Sequence, residues 1–321
     1  MNSSCYAKFF IGCFVFIAIT AVFRWVLLWN IPFTYMDGEY PYWQQQKDYV
    51  HTKSDKQEVI FLGDSRMKAA IIPNQLCENA YNLAVGGATT VEMYYSLKSY
   101  LKKHPKPEKV FMGFSGMHYQ NEFTFYSRNM YFHFIPLNEQ IEALSIDCKE
   151  NRWTFKEKLI DMLKYDLLFP QKYSAACINS KFQRGEWNHS QYQQNAANKG
   201  QMPFGMAERN DDLNFEASCN TFNVHPRFDI YMHKIIQLCK NNEIPLFIIQ
   251  LPMNSPSWNK INESGYSEKF QNYLSVLKNE TDISIELIIP NYNPELFGDE
   301  SHLNSRGAEK FTKEIKEKYS L

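Results

Sequence analysis

Three residues of this chain have the types and order that covalent acyl chemistry needs: Ser65, Asp299 and His302. A serine hydroxyl is a poor nucleophile until a base takes its proton. An imidazole does this near neutral pH if a carboxylate fixes its tautomer. Asp299 and His302 stand three apart, so one short turn presents both, with Asp299 on the Nδ1 side and Nε2 turned toward Ser65. The tetrahedral intermediate needs hydrogen-bond donors for its oxygen. The backbone N–H groups of Ser65 and Gly87 are the natural pair, and Gly86-Gly87 lets the backbone approach a ligand closely.

The elements that must position these residues are legible around them. Val59-Ile60-Phe61-Leu62 runs straight into Gly63-Asp64-Ser65, the pattern of a buried parallel strand that delivers a serine to a sheet edge. Strands are expected at Glu58–Leu62, Ala80–Val85, Lys109–Phe114, Ile244–Leu251 and Ile283–Ile289. Between them, Thr89 or Thr90 caps a helix that ends at Lys102-Lys103-His104 before Pro105, and further helices are expected at Phe228–Lys240 and Ser267–Lys278. Asn304 caps a last helix with Ala308, Phe311, Ile315 and Tyr319 at helical spacing. Strand alternating with helix predicts an α/β fold with a doubly wound, five-stranded parallel sheet, whose sites lie beyond the carboxyl ends of the strands. Ser65, Gly87, Ser115, Asn254 and His302 each follow a different strand and so fall on that one edge.

The N-terminal segment is of another kind. From Phe9 to Trp29 the chain is apolar apart from Thr20 and Arg24, long enough to span roughly 30 Å as a helix. Lys8 precedes it, and Asp37 and Glu39 follow. The positive-inside rule then puts the N-terminus in the cytoplasm and the rest outside. Residues 1–33 are read as tip and anchor, 34–57 as a polar, aromatic stalk, and 58–321 as the catalytic domain. A long insertion at about 116–226 interrupts that domain after the third strand, with helices expected at Leu137–Asp147 and Trp153–Phe169. Its Asn- and Gln-rich run from Trp187 to Asn214 is read as the mobile edge of a helical cap.

Composition narrows the classes. A formal net charge of −1 without a basic run argues against nucleic acid. The eight histidines are scattered and the seven cysteines lack metal spacing, so no metal is expected. Cysteines outside the anchor permit disulfides without specifying pairs. Neither GxGxxG nor GxxxxGK[ST] occurs, which disfavours a flavodoxin-like nucleotide or flavin binder; no cofactor is expected.

Gly63-Asp64-Ser65, Gly86-Gly87 after Asn82, and Asp299-x-x-His302 together resemble the blocks of the SGNH, or GDSL-like, hydrolase superfamily. The resemblance covers Glu58 to the C-terminus apart from the insertion. It implies a three-layer α/β/α sandwich, ester chemistry, Ser65 as nucleophile and Gly87 as oxyanion glycine. The family's third block carries a Gly-x-Asn-Asp whose asparagine holds the oxyanion. Here that strand end reads Gly113-Phe114-Ser115-Gly116-Met117-His118, leaving Ser115, His118 or Asn121 as substitutes. The anchor, Ser115, Pro252-Met253-Asn254 and the late Asp-x-x-His are similar to the membrane-anchored branch. That branch includes D-alanyl transfer proteins of teichoic acid modification and partners of membrane-bound O-acyltransferases. The expectation is an extracytoplasmic acyl-transferase or esterase acting on acetyl or D-alanyl esters of envelope glycopolymers. The alternative is a non-catalytic glycan-binding or scaffold subunit beside such an acyltransferase.

Overall fold

Short apolar runs bounded by turn residues form a parallel sheet in the computed structural model, which describes residues 3–29, 37–52, 56–120, 125–130, 132–150, 154, 156–157, 159–160, 175, 178–181 and 183–321. The first helix, α1 (Ser3–Trp29), has a mean hydropathy of 2.1 over Tyr6–Phe23, with none of that window buried. It is long and apolar enough to cross a membrane. There follow α2 (Tyr40–His51), β1 (Val59–Gly63), α3 (Ser65–Ala70), α4 (Pro73–Leu76), β2 (Ala80–Asn82), α5 (Thr90–Lys103) and β3 (Lys109–Gly113). A 3-10 turn (Gly116–Tyr119) and a π-helical turn (Phe125–Met130) lead to α6 (Leu137–Glu150), and α7 (Arg184–Ala197) comes later in the same excursion. The chain then forms α8 (Pro226–Asn241), β4 (Leu246–Ile248), β5 (Met253–Asn254), α9 (Ser255–Glu263), α10 (Tyr266–Thr281), β6 (Ser284–Ile285), β7 (Asn291–Tyr292) and α11 (Ser305–Tyr319).

The main sheet has five strands in the order β2-β1-β3-β4-β6, with every neighbouring pair parallel. Val59 pairs with Lys109 and Gly63 with Gly113, so β1 and β3 end level. Side chains alternate between two core clusters, as the period of a strand demands. Ile60, Leu62, Val110 and Met112 join α2, α5, α8 and α10, while Val59, Phe61 and Phe111 join α3 and α11. On the second side the Phe61 and Phe111 rings stack at 5.1 Å.

The strands are shorter than the apolar runs suggest. At Asn82, Oδ1 accepts the N–H of Ala84 and Nδ2 donates to the Met67 carbonyl, which turns the chain out of β2. Leu83 and Val85 still donate to β1 carbonyls, so the expected strand persists as irregular pairing. Beyond β4 the chain leaves the main sheet, and β5 pairs with β7 in a separate two-stranded sheet. The helix boundaries agree better, because caps are local. Thr89 and Glu92 form a capping box at the start of α5, and Asn304 caps α11.

Residues 40–51, expected within a stalk, form a helix that packs into the domain. Trp43 is fully buried and meets the rings of Phe132 and Phe134 edge-on, at 5.8 and 4.9 Å. Gln45 and Gln46 donate to Tyr81 and Ser96. The Trp187–Asn214 run, expected as a mobile edge, is half helix and half a strap held on the domain. Asn195 of α7 donates to Gln45 at 2.7 Å and Tyr42 to Gln191 at 2.9 Å. Polar composition there reflects side chains spent on hydrogen bonds between segments. The helix expected at 153–169 falls mostly outside the described residues, as does Asn121. Among the described residues, Cys13, Cys77, Cys219 and Cys239 are free thiols.

Candidate active site

Ser65 opens α3 because Asp64 caps it. Asp64 Oδ1 accepts the N–H groups of Arg66 and Met67, at 2.9 and 3.5 Å, and passes over that of Ser65 itself. The fully buried carboxylate also accepts the backbone N–H of Ser115 through Oδ2 at 2.7 Å. Two strand ends are thereby tied together beside the serine. Asp299 builds its own turn in the same way, accepting the N–H groups of Ser301 and His302 at 2.8 and 2.7 Å.

The fold brings the two turns together across 237 residues of sequence. His302 Nδ1 lies 2.8 Å from Oδ2 and 2.9 Å from Oδ1 of Asp299. An ionised carboxylate only accepts, so Nδ1 carries the proton and Nε2 is left as an acceptor. Nε2 lies 2.7 Å from Ser65 Oγ, whose hydroxyl donates to it. Burial works to raise the Asp299 carboxyl. The hydrogen bond and charge of His302 and the two backbone N–H groups outweigh it, holding the group below its usual range. The arrangement can take a proton from a hydroxyl and hold the imidazolium that results.

Gly86 and Gly87 lie in the loop after β2, and Gly87 has φ 76°, a left-handed conformation suited to glycine. The insertion reaches this loop, since Arg128 Nη1 donates to the Gly86 carbonyl at 2.6 Å and lies 3.6 Å from Glu39 Oε2. Burial pushes the Glu39 carboxyl up, and Arg128 offsets part of that rise. One turn after Ser65, Lys68 is buried and donates to the carbonyls of Ala84 and Gly200, at 3.2 and 2.6 Å. Burial brings its amine down to about 7.

The strap, residues 200–214, crosses the histidine turn. Ala207 donates its N–H to the Gly298 carbonyl at 3.1 Å, and Asn304 Nδ2 donates to the Ala207 and Glu208 carbonyls. The Phe204 ring lies against the His302 imidazole, centroids 5.0 Å apart.

Of the residues singled out from sequence, Ser65, Asp299 and His302 form one hydrogen-bonded chain. Ser115 meets the site through its N–H on Asp64, with its side chain buried. Asn254 has other partners: it caps α9 through the N–H of Ser257 and donates to the Asp212 carbonyl at 2.9 Å. His118 is buried 3.7 Å from Asp64 Oδ2. Arg128 and Phe204 escaped the sequence reading, and Glu39 enters it only as an acidic flank of the anchor, since none stands in a catalytic motif or at a fixed offset from one. Lys68 carried a weak signal, three residues after Ser65 on one helix.

A family model of unknown function matches residues 194–320, a span that takes in Phe204, Asp299 and His302 but not Ser65. No curated protein matches the chain.

Proposed function

We propose that this is a membrane-anchored, extracytoplasmic serine acyl-transferase or esterase of SGNH type, with the three-layer sandwich of that superfamily. Its substrates would be acetyl or D-alanyl esters of a cell-envelope polysaccharide or teichoic acid. The observation that carries the reading is the continuous chain from Ser65 Oγ through both nitrogens of His302 to Asp299. A serine on one nitrogen of the imidazole and a carboxylate on the other is the arrangement that nucleophilic catalysis uses.

Ser65 Oγ attacks the acyl carbonyl while Nε2 of His302 takes the hydroxyl proton. The oxyanion is met by the N–H groups of Ser65 and Gly87. Collapse breaks the ester bond, and the departing alcohol takes the proton from His302, leaving acyl-Ser65. A sugar hydroxyl or water then gives its proton to His302 and attacks the acyl carbonyl. Ser65 leaves with that proton restored. Asp299 stays ionised throughout. The helix α1 would hold the domain at the outer face of the plasma membrane, beside a lipid-linked acyl donor or a membrane-bound O-acyltransferase.

The test is intact-mass analysis of the full chain in detergent after exposure to a fluorophosphonate, wild type beside Ser65→Ala. One adduct on the wild type alone is expected, and no adduct on folded wild-type protein overturns the reading. A scaffold role is favoured by one feature, the lack of an asparagine donor after β3 where Ser115 stands. Complementation of a deletion strain by the Ser65→Ala protein would decide for it.

A further inference from the structure

We propose that Phe204 sets the length of the acyl group that Ser65 accepts, an inference that rests on the serine acyl-transfer reading above. An ester must bring its carbonyl carbon to Ser65 Oγ, which lies 2.7 Å from His302 Nε2. With Gly87 as the proposed oxyanion donor, its carbonyl oxygen would turn toward the Gly86–Gly87 loop. The acyl group therefore enters space bounded by the imidazole on one side and that loop on the other. Phe204 touches both. Its ring is tilted 32° to the His302 imidazole at 5.0 Å between centroids. Its Cζ comes to 3.5 Å of the point where a Cβ on Gly86 would stand. A ring that bridges these two walls closes the side between them.

The ring has little room to withdraw. Tyr42 backs it edge-on at 6.1 Å. The next residue, Gly205, is wedged so tightly that its Cβ would fall 2.4 Å from the Gly298 carbonyl carbon, and a Cβ on Gly298 would fall 2.2 Å from Gly205. Pro203 stiffens the chain on the other side. The same corner holds Glu39 Oε2 and Arg128 Nη1, at 3.0 and 3.6 Å from the Gly86 Cβ position. A longer alkyl chain would have to displace the ring or lie against these charges, and both are unfavourable. Acetyl and other short acyl groups avoid both costs.

The experiment uses the full chain in detergent as wild type, Phe204→Ala, Phe204→Leu and Phe204→Trp. It reads kcat/KM for p-nitrophenyl acetate, butyrate and hexanoate, with fluorophosphonate labelling of Ser65 run on each protein. The wild type is expected to prefer acetate. Phe204→Ala should raise the butyrate-to-acetate ratio about tenfold, as accommodating two more methylenes predicts. Phe204→Leu should raise it less, and Phe204→Trp should lower it; these two carry the test if the alanine variant does not fold. Variants that label at Ser65 yet keep the wild-type ratio overturn the proposal. Wild-type protein that neither labels nor hydrolyses any ester defeats the serine reading itself, and the proposal with it.

Discussion

Asp64 Oδ2 accepts the N–H of Ser115 at 2.7 Å while Oδ1 of the same carboxylate caps the helix that Ser65 begins. One buried side chain thus sets the spacing between the ends of β1 and β3, one residue before Ser65. An Asp64→Asn substitution could keep the cap but would turn an amide donor toward the Ser115 donor. The expected cost is about 1–3 kcal/mol, the range for a buried group left unsatisfied. Urea denaturation measures it, and a change within about 0.5 kcal/mol would mean that the tie carries no weight.

Asp299→Asn should cut ester turnover by roughly 10²–10⁴-fold, because the amide can donate to Nδ1 and favour the wrong tautomer. Its effect on stability has a definite sign. The Asp299 carboxyl is held below its unfolded value. Its contribution is therefore present above the ordinary carboxylate range and is lost as pH falls through the folded value. Urea midpoints of the wild type and Asp299→Asn should differ most above about pH 5 and begin to converge as the pH falls through about 4, the unfolded carboxylate value, toward the lower folded one.

Lys68 gives a slope of the same sign in a higher pH window, through a burial penalty rather than a favourable pairing. Its folded value is about 7, while an unfolded lysine titrates near ~10.4. Below the folded value both states are charged, and the penalty of burying that charge is fully present. Across the window between the two values the unfolded chain binds the extra proton, so stability rises with pH, by at most about 1.4 kcal/mol per unit. Wild-type protein should gain on Lys68→Met from about pH 7 to about pH 10. Parallel urea profiles would show that the amine does not titrate there.

Gly205 and Gly298 meet backbone to backbone, so alanine at either site must push the strap from the Asp299 turn. A loss of about 1–3 kcal/mol is expected, the usual cost of overpacking, together with slower labelling of Ser65. Denaturation and labelling rate on Gly205→Ala check both. An unchanged labelling rate in a destabilised protein would separate the strap from the site.

Arg66 and Glu216 form an ion pair at 2.6 Å with side-chain exposures of 8% and 1%. It joins the Ser65 helix to the far end of the insertion. Glu216→Ala strands the guanidinium and should cost about 3–5 kcal/mol by urea denaturation. Arg66→Met combined with Glu216→Leu should restore much of that loss, since a buried pair replaced by apolar groups of similar size is often neutral.

What the sequence by itself determined was local. The apolar run into Gly63-Asp64-Ser65, the Thr89–Glu92 capping box and the Asn304 cap involve residues within a few positions of one another. So does the turn that presents Asp299 and His302. Backbone geometry and short-range hydrogen bonds settle such features, and the spacing of residue types records them. The alternation of strand and helix likewise records a parallel sheet, because side-chain periodicity and crossover length are chain properties. Only the tertiary structure decided that residues 40–51 belong in the core, that Arg128 meets Gly86, and that Phe204 lies on His302. These contacts join segments far apart in the chain, where strand order and burial choose the partners and no period or motif reports the choice. The strap shows the difference plainly. Its Asn- and Gln-rich composition reads as solvated chain, yet its amides and backbone are held by hydrogen bonds to segments distant in sequence.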